Sequence, residues 1–369
     1  MKTASPTVVI AGGGTGGHLY PGLAVARALI ARRPEARVSF AGTARGLEAR
    51  VVPEQGFELD LIRSAGLKGR SLGARVRGAS ILPLSFLDAW SVLSRRRPDV
   101  VVGVGGYSSG PVVLLAAVRG IATMVLEQNA VPGLTNRTLA PFVRAAAVTY
   151  EDSLTHFRGR GFVSGNPVRP EFLSSADTAS SAEPAGHQPR LLVLGGSQGA
   201  HAINLALMEL MPDLVARCPG LEVLHQTGPG DLAAVREAYG RAGLVVRAEA
   251  FVDDVASEMR RADVVLTRAG ATTLAELAAL GVPAILVPFP AATDDHQRKN
   301  ADVLVRAGAA LMFEQRVIAT AEGRRALVDA IAMLAAEADR RRGLATAMRG
   351  FARPDAAEVI VSRLLELAA

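Results

Sequence analysis

From Thr7 to Pro21 the chain reads Thr-Val-Val-Ile-Ala-Gly-Gly-Gly-Thr-Gly-Gly-His-Leu-Tyr-Pro. The β-branched run Thr7 to Ile10 reads as a buried strand, and Pro21-Gly22-Leu23-Ala24-Val25-Ala26-Arg27-Ala28-Leu29 reads as a helix. A strand that passes through glycines into a helix leaves main-chain N–H groups facing, unobstructed by side chains, whatever sits on the helix N-terminus. Such a turn is an anion or polyol site, and the alternative is a tight structural turn that needs glycine for its positive φ.

Gly12, Gly14 and Gly17 also satisfy G-x-G-x-x-G, which raises a nicotinamide dinucleotide. That ligand needs a carboxylate at the end of the second strand to hold a ribose. The second strand, Val38-Ser39-Phe40, ends in Ala41-Gly42-Thr43, and His18 is foreign to that fingerprint. The spacing therefore argues against a dinucleotide.

A chain of 369 residues, 49% hydrophobic, exceeds one ordinary core and points to two domains. A single cysteine, Cys218, excludes a disulfide framework and a cysteine metal site, and fits a reducing cytoplasm. The first apolar run is too short for a signal peptide. Val100 to Val118 is uncharged and long enough to span a bilayer, but Gly103, Gly105, Gly106, Gly110 and Pro111 break it into strand, loop and helix. No transmembrane helix is expected.

Charge divides unevenly. Residues 1–170 hold 21 Lys+Arg and 10 Asp+Glu, whereas residues 171–369 hold 20 and 25, so a basic half is followed by an acidic one. A basic half suits an anionic bilayer or nucleic acid, but aromatic residues make up only 4% and no stacking motif is present, so no nucleic-acid partner is expected.

Short apolar runs continue at Val38–Phe40, Leu59–Ile62, Val100–Val104, Thr123–Leu126 and Ala145–Val148. Strands alternating with helices imply a parallel sheet covered on both faces, with ligands at the carboxyl ends of the strands. A second glycine loop, Gly103-Val104-Gly105-Gly106-Tyr107-Ser108-Ser109-Gly110-Pro111, and a polar trio, Glu127-Gln128-Asn129, fall at such ends. Ahead of both, Gly66-Leu67-Lys68-Gly69-Arg70, Arg75 and Arg77 precede Ile81, Leu82, Leu84, Phe86 and Trp90. Cations beside an apolar segment make an interfacial anchor on an anionic membrane surface, and a helix packed on the sheet is the alternative.

Gly165-Asn166-Pro167-Val168-Arg169 closes the first half, and the Ser-, Ala- and Pro-rich stretch to Pro189 reads as a linker over 171–189. Alternation restarts at Leu191–Leu194, followed by Gly195-Gly196-Ser197-Gln198-Gly199-Ala200 and a helix, a cradle suited to a diphosphate. Further strands are expected over Val223–Gln226, Val245–Arg247, Val264–Thr267 and Ala284–Val287, and late helices over Leu327–Ala336 and Ala356–Leu367. After Val264–Thr267 comes Arg268-Ala269-Gly270-Ala271-Thr272-Thr273-Leu274-Ala275-Glu276. Placed in the first turn of a helix, Glu276 suits the paired hydroxyls of a ribose, or else forms a capping box with Thr273.

The order and spacing of these loops resemble one family along nearly the whole chain, the peptidoglycan N-acetylglucosaminyltransferases of MurG type. The motifs that carry the likeness are Gly-Gly-Thr-Gly-Gly-His at 13–18, Gly-Gly-Tyr at 105–107, Glu-Gln-Asn at 127–129, Gly-Asn-Pro-Val-Arg at 165–169, Gly-Gly-Ser-Gln-Gly-Ala at 195–200 and the Arg268–Glu276 stretch. The resemblance implies an α/β protein of two Rossmann-like parallel-sheet domains facing across a cleft, the GT-B glycosyltransferase arrangement. It divides the chain into an acceptor and membrane-binding domain over 1–170, a donor domain over 190–345, and a C-terminal helix within 346–369 that returns to the first domain.

It further implies transfer of N-acetylglucosamine from UDP-N-acetylglucosamine to the 4-hydroxyl of undecaprenyl-pyrophosphoryl-MurNAc-pentapeptide, with inversion, at the cytoplasmic face of the membrane. By the same likeness Thr15, Gly16 and Gly17 line the donor-sugar side of the cleft, and Asn129, Arg169 and Ser197 contact donor or phosphate, with Tyr107 and Gln198 in the adjoining glycine loops. Main chain near Val252 meets the base; Ala271, Thr272, Thr273, Leu274, Ala275 and Glu276 hold ribose and diphosphate; Gln297 reads the donor sugar. One departure is His296, where some members carry a second glutamine.

Helix N-termini and Arg169 can balance the charge on a departing UDP, in place of a metal. No Asp-x-Asp pair stands out, and Asp253-Asp254 and Asp294-Asp295 read as turn and helix-start residues, so no metal and no cofactor are expected. Inversion in one displacement needs a base, for which His18 is the first candidate, a loop-positioning role being the alternative. The rival functions are a UDP-N-acetylglucosamine 2-epimerase and a non-catalytic sugar-nucleotide-binding scaffold at the membrane.

Overall fold

The structure, a computed structural model, describes residues 5–64, 72–173, 187–196 and 199–369, with backbone only for 72–80. The chain divides into two compact units, Met1–Arg169 with Arg353–Ala369, and Pro170–Ala352.

The first unit carries strands β1 (Thr7–Gly12), β2 (Arg37–Gly42), β3 (Glu58–Leu61), β4 (Val100–Gly105), β5 (Ala122–Glu127), β6 (Ala145–Val148) and β7 (Gly161–Val163). They form one parallel sheet in the order β3-β2-β1-β4-β5-β6-β7. Helices α1 (Gly16–Arg32), α2 (Glu48–Glu54), α3 (Leu72–Arg96), α4 (Ser109–Val118) and α5 (Leu134–Leu139) make the crossovers. Because side chains alternate along a strand, Val8 and Ile10 of β1 pack with Leu19, Leu23 and Leu29 of α1, while Val9 and Ala11 pack with Ala89, Val92 and Leu93 of α3.

The second unit repeats the plan with β8 (Arg190–Leu194), β9 (Glu222–Gln226), β10 (Arg247–Glu249), β11 (Val264–Thr267), β12 (Ala284–Leu286) and β13 (Ala310–Met312), all parallel, in the order β10-β9-β8-β11-β12-β13. Its helices are α6 (His201–Arg217), α7 (Leu232–Arg241), α8 (Val255–Arg261), α9 (Ala271–Leu280), α10 (His296–Arg306), α11 (Gln315–Ile318), α12 (Ala321–Ala336) and α13 (Ala338–Arg349). The last helix, α14 (Ala356–Ala368), belongs to the first unit, where Ile360, Val361 and Leu364 are buried and Ser362 accepts a 2.6 Å hydrogen bond from Arg32 of α1.

In both sheets the strand order reverses beside the first strand of the unit. The carboxyl ends of β1 and β4, and of β8 and β11, therefore flank the crevice where doubly wound sheets bind ligands.

Several expectations need correction. The strand expected over Val245–Arg247 begins at Arg247, and Val245 is fully exposed. β7 and β13 are additional three-residue strands, too short to show a period, and α13 is polar apart from a few inward positions such as Leu344 and Met348. Composition assigns 171–173 to the linker, but Phe172 is buried and Arg260 donates to the Glu171 carbonyl within the second unit.

Candidate active site

A buried carboxylate holds the turn after β1. Glu48 accepts hydrogen bonds from the Gly14 N–H at 2.7 Å and from the Thr43 N–H and hydroxyl at 2.8 Å each. Burial pushes a carboxyl pKa up, but these donors outweigh it and hold Glu48 below its ordinary value. A side chain at Gly13, with φ at +146°, would run into that carboxylate, and one at Gly106 would come within 2.7 Å of the Gly13 carbonyl oxygen. The turns after β1 and β4 are thus in contact. They are also less open than the glycine content implies, because the Gly14 N–H is committed to Glu48 rather than to a ligand.

Thr15 is the exposed N-cap of α1, its side chain making no capping bond, and Gly16, Gly17 and His18 form the first helical turn. The His18 ring places Nδ1 3.3 Å from Oε1 of Gln128, a residue only 2% exposed. Gln128 donates its own amide hydrogen to the Val104 carbonyl at 3.1 Å, which turns its oxygen toward the ring. A proton on Nδ1 satisfies that oxygen and leaves the basic lone pair on Nε2.

Around this centre, Tyr107 is exposed beyond β4, and Asn129 donates through both main-chain N and Nδ2 to Glu127 at 3.0 and 3.1 Å. The guanidinium of Arg169 lies over the Tyr20 ring of α1, 5.1 Å from its centroid.

In the second unit the turn after β8 is shaped by Gln226. Its Oε1 accepts from the N–H groups of Gly195 and Gly196, and its Nε2 donates to the carbonyls of Gly196 and Ala250. Val252 follows Ala250 on the way to Asp254, which caps α8 by accepting from the Ser257 N–H at 2.9 Å.

α9 begins after Gly270, so Ala271, Thr272 and Thr273 supply its first-turn N–H groups. Glu276 is the sixth helical residue. The first-turn placement does not hold, and neither does the capping box, which requires its carboxylate at the third helical position, here Thr273. The Leu274 side chain is in the core, leaving only main chain to meet a ligand, while Ala275 is half-buried.

Arg268 donates to the carbonyls of Val287 and Pro288 and to Gln315 Oε1, and its guanidinium lies over the Phe289 ring. Burial lowers its pKa to about 10, which keeps it charged at neutral pH. Gln297 accepts the Phe289 N–H at 2.9 Å, and His296 donates from Nδ1 to the Thr293 carbonyl at 2.7 Å. Asp294 and Asp295, both at φ 56°, make a left-handed turn into α10. Among the described residues no three His, Cys, Asp or Glu side chains are grouped to hold a metal ion.

The glycosyltransferase family 28 N-terminal domain matches residues 8–148, and the family 28 C-terminal domain matches residues 190–360. A relative from Anaeromyxobacter sp. (strain K), named UDP-N-acetylglucosamine--N-acetylmuramyl-(pentapeptide) pyrophosphoryl-undecaprenol N-acetylglucosamine transferase, is 45% identical over 361 residues, spanning 98% of this chain and 92% of the relative. The crystal structure of Acinetobacter baumannii MurG superposes with a TM-score of 0.78 at 28% identity, over 98% of this chain and 99% of that one.

The chain belongs to the MurG family.

Its two parallel-sheet α/β units are those of GT-B glycosyltransferases. A UDP-GlcNAc 2-epimerase from Neisseria meningitidis, bound to UDP-GlcNAc, covers 98% of this chain with a TM-score of 0.67 at 14% identity, a likeness of fold alone.

Of the residues carried over from MurG motifs, Ser197 and Gln198 lie outside the described residues, as do 66–70. In the first unit Thr15, Gly16, Gly17, His18, Tyr107, Asn129 and Arg169 all stand at carboxyl strand ends or on the α1 start. In the second, Val252, residues 271–276 and Gln297 follow β10, β11 and β12.

Within the expected membrane segment, α3 turns Ala89, Val92 and Leu93 inward and leaves Leu82, Leu84, Leu87 and Trp90 exposed, with the Arg119 guanidinium 4.7 Å over the Trp90 ring. Ile81 and Phe86 are half-buried, so the outward face is carried by Leu82, Leu84, Leu87 and Trp90. No described helix is long and apolar enough to cross a membrane.

Sequence reasoning also missed Glu48, Gln226 and Arg268 as site-shaping groups. Gln226 had a legible signal, a polar residue at the carboxyl end of an apolar run, the same signal that marks Gln128. Glu48 had none, since its partners lie at the ends of other strands.

Proposed function

We infer that this chain transfers N-acetylglucosamine from UDP-N-acetylglucosamine to the 4-hydroxyl of undecaprenyl-pyrophosphoryl-MurNAc-pentapeptide, forming a β-1,4 bond with inversion. The observation that carries this reading is 45% identity across 98% of the chain to a relative named for that transfer.

In the reaction, His18 Nε2 takes the proton of the acceptor hydroxyl as its oxygen bonds to the anomeric carbon, and the bond from that carbon to the UDP oxygen breaks. General-base help of this kind is worth about 10² to 10⁴ in rate. Gln128 supports it by holding the proton on Nδ1. The first turn of α9 and the turn after β8 hold the diphosphate, each helix start offering about half a positive charge with no reorganisation as the bond breaks. Arg169 adds a formal charge, and the chemistry proceeds without a metal. Main chain at Val252 meets uracil, Glu276 the ribose, and Gln297 the donor sugar, with Thr15, Gly16, Gly17, Tyr107, Asn129, Ser197 and Gln198 completing the substrate contacts.

The exposed face of α3, with the basic charge of the first half, supports peripheral attachment to the anionic cytoplasmic face of the cell membrane, where the lipid acceptor resides. No nucleic acid takes part.

The test is a pair of incubations with labelled UDP-N-acetylglucosamine. Label is expected in a lipid-linked disaccharide only when the muramyl lipid is added. Epimerised sugar from donor alone would make the chain an epimerase, and UDP binding without transfer would leave a scaffold.

A further inference from the structure

Gln226 ends β9, the strand between β8 and β10, with its backbone registered against Leu194 on one side and Glu249 on the other. The turn after β8 and the segment after β10 are therefore two strand spacings apart, about 9–10 Å, too far for main chain to bond main chain. The Gln226 side chain spans that gap. Its oxygen takes the Gly195 and Gly196 N–H groups at 3.0 Å each, and its nitrogen gives one hydrogen to the Gly196 carbonyl at 3.0 Å and the other to the Ala250 carbonyl at 2.9 Å.

Every donor and acceptor the amide possesses is used, and the residue is only 5% exposed. A buried amide so satisfied has one low-energy arrangement, because shifting any partner strands a buried polar group without a bond. The Gly195–Gly196 turn therefore cannot move without moving Ala250, and Ala250 stands two residues before Val252.

We propose that Gln226 is a positioning residue that couples recognition of the uracil base to the grip on the diphosphate, so that the two halves of the nucleotide are bound as one event. The proposal rests on the placement of base and diphosphate argued above. It explains the choice of side chain. A carboxylate of similar length would set its charge against two carbonyls and beside the diphosphate, whereas glutamine supplies both bond polarities with no net charge. The corresponding turn of the first unit, which carries no diphosphate of the donor in this reading, is held by the anion of Glu48 instead.

Two measurements test it. In the wild-type protein, amide hydrogen exchange is followed with uridine alone and with inorganic pyrophosphate alone. Coupling predicts that uridine, which lacks phosphate, slows exchange at Gly195–Gly196 at least threefold, and that pyrophosphate slows exchange around Val252 likewise. Protection confined to each ligand's own segment would overturn the coupling while leaving the transfer reaction intact. Protection of neither segment by UDP itself would overturn the placement of the nucleotide, and the coupling with it.

The second measurement uses Gln226→Met, which keeps length and volume but none of the bonds, and Gln226→Glu. Donor KM is expected to rise at least tenfold, and preference for the uridine over the cytidine sugar nucleotide to fall at least fivefold, with acceptor KM unchanged. In Gln226→Glu, a donor KM that recovers as pH is lowered, when a protonated carboxyl can again donate, marks a bonding role that simple loss of packing does not reproduce. Donor KM and base preference within twofold of wild type in both variants would overturn the proposal.

Discussion

The carboxylate of Glu48 accepts a 2.7 Å hydrogen bond from the main-chain N–H of Gly14, a residue 34 positions earlier in the chain. This bond fixes the turn that leads into His18. Replacing Glu48 by Ala removes three part-buried hydrogen bonds to a charged acceptor from Gly14 and Thr43, which costs about 1–3 kcal/mol. We expect a lower thermal midpoint and at least a tenfold loss of turnover, with UDP affinity unchanged, measured by melting, steady-state kinetics and UDP titration. Because the folded pKa of Glu48 is depressed, its stabilisation is complete above the ordinary value of 4.5 and is lost as pH falls through the folded value.

The His18–Gln128 contact predicts an ordered pair of kinetic effects. His18→Ala is expected to lose about 10² to 10⁴ in turnover together with the acid limb of the pH–rate profile. Gln128→Leu keeps the base but not the partner of Nδ1, and is expected to lose about tenfold with the limb retained. A His18→Ala profile with an unchanged acid limb and less than a tenfold loss would assign the ring to loop positioning.

Gln297 has its side-chain oxygen on the Phe289 N–H, so its Nε2 is the atom available to a sugar hydroxyl. Gln297→Ala is expected to slow transfer from UDP-N-acetylglucosamine more than from its 4-epimer, since a site that bonds a hydroxyl rejects the sugar that misplaces it. Competition between the two donors reads this out, and equal losses for both would remove the assignment.

Deep in the second unit, His225 accepts from the Tyr239 hydroxyl at 2.9 Å and donates to Asn204 at 2.9 Å, fully buried. Burial lowers its pKa from 6.5 to about 4. The unfolded chain therefore binds a proton that the folded chain refuses between those values, and stability falls as pH drops from 6.5 toward 4, by up to about 3 kcal/mol. Urea unfolding followed across that range checks this, and His225→Gln should remove its share of the slope.

Leu82 and Leu87 of α3 are 41% and 64% exposed. Replacing both by Glu is expected to abolish salt-sensitive binding to anionic vesicles while leaving transfer to a detergent-soluble acceptor within about threefold. Sedimentation with vesicles of anionic and of zwitterionic lipid distinguishes the outcomes, and undiminished binding of the double variant would move the anchor elsewhere.

The alternation of apolar runs with glycine turns made two parallel-sheet halves legible, because a strand buried on both faces has to be a continuous hydrophobic run. The ends of short strands were less so. β10 starts two residues later than its apolar run, leaving Val245 in solvent, since pairing with β9 at Arg247↔Leu224 sets the register, not hydrophobicity. Glu276 shows the same limit: its role depended on which residue caps α9, and Gly270 rather than Thr273 does so.

What the amino-acid order determined alone was local, namely glycine where main chain must turn sharply, polar residues at strand ends, and apolar stripes where helices must be covered. What only the tertiary structure decided was which of the exposed N–H groups remain available to a ligand. Gly14, Gly195 and Gly196 look alike in the sequence to any other turn glycine, yet their amides are committed to Glu48 and Gln226. Those partners lie on other elements, helix α2 and strand β9, and hydrogen bonds between residues distant in the chain leave no periodic trace in it.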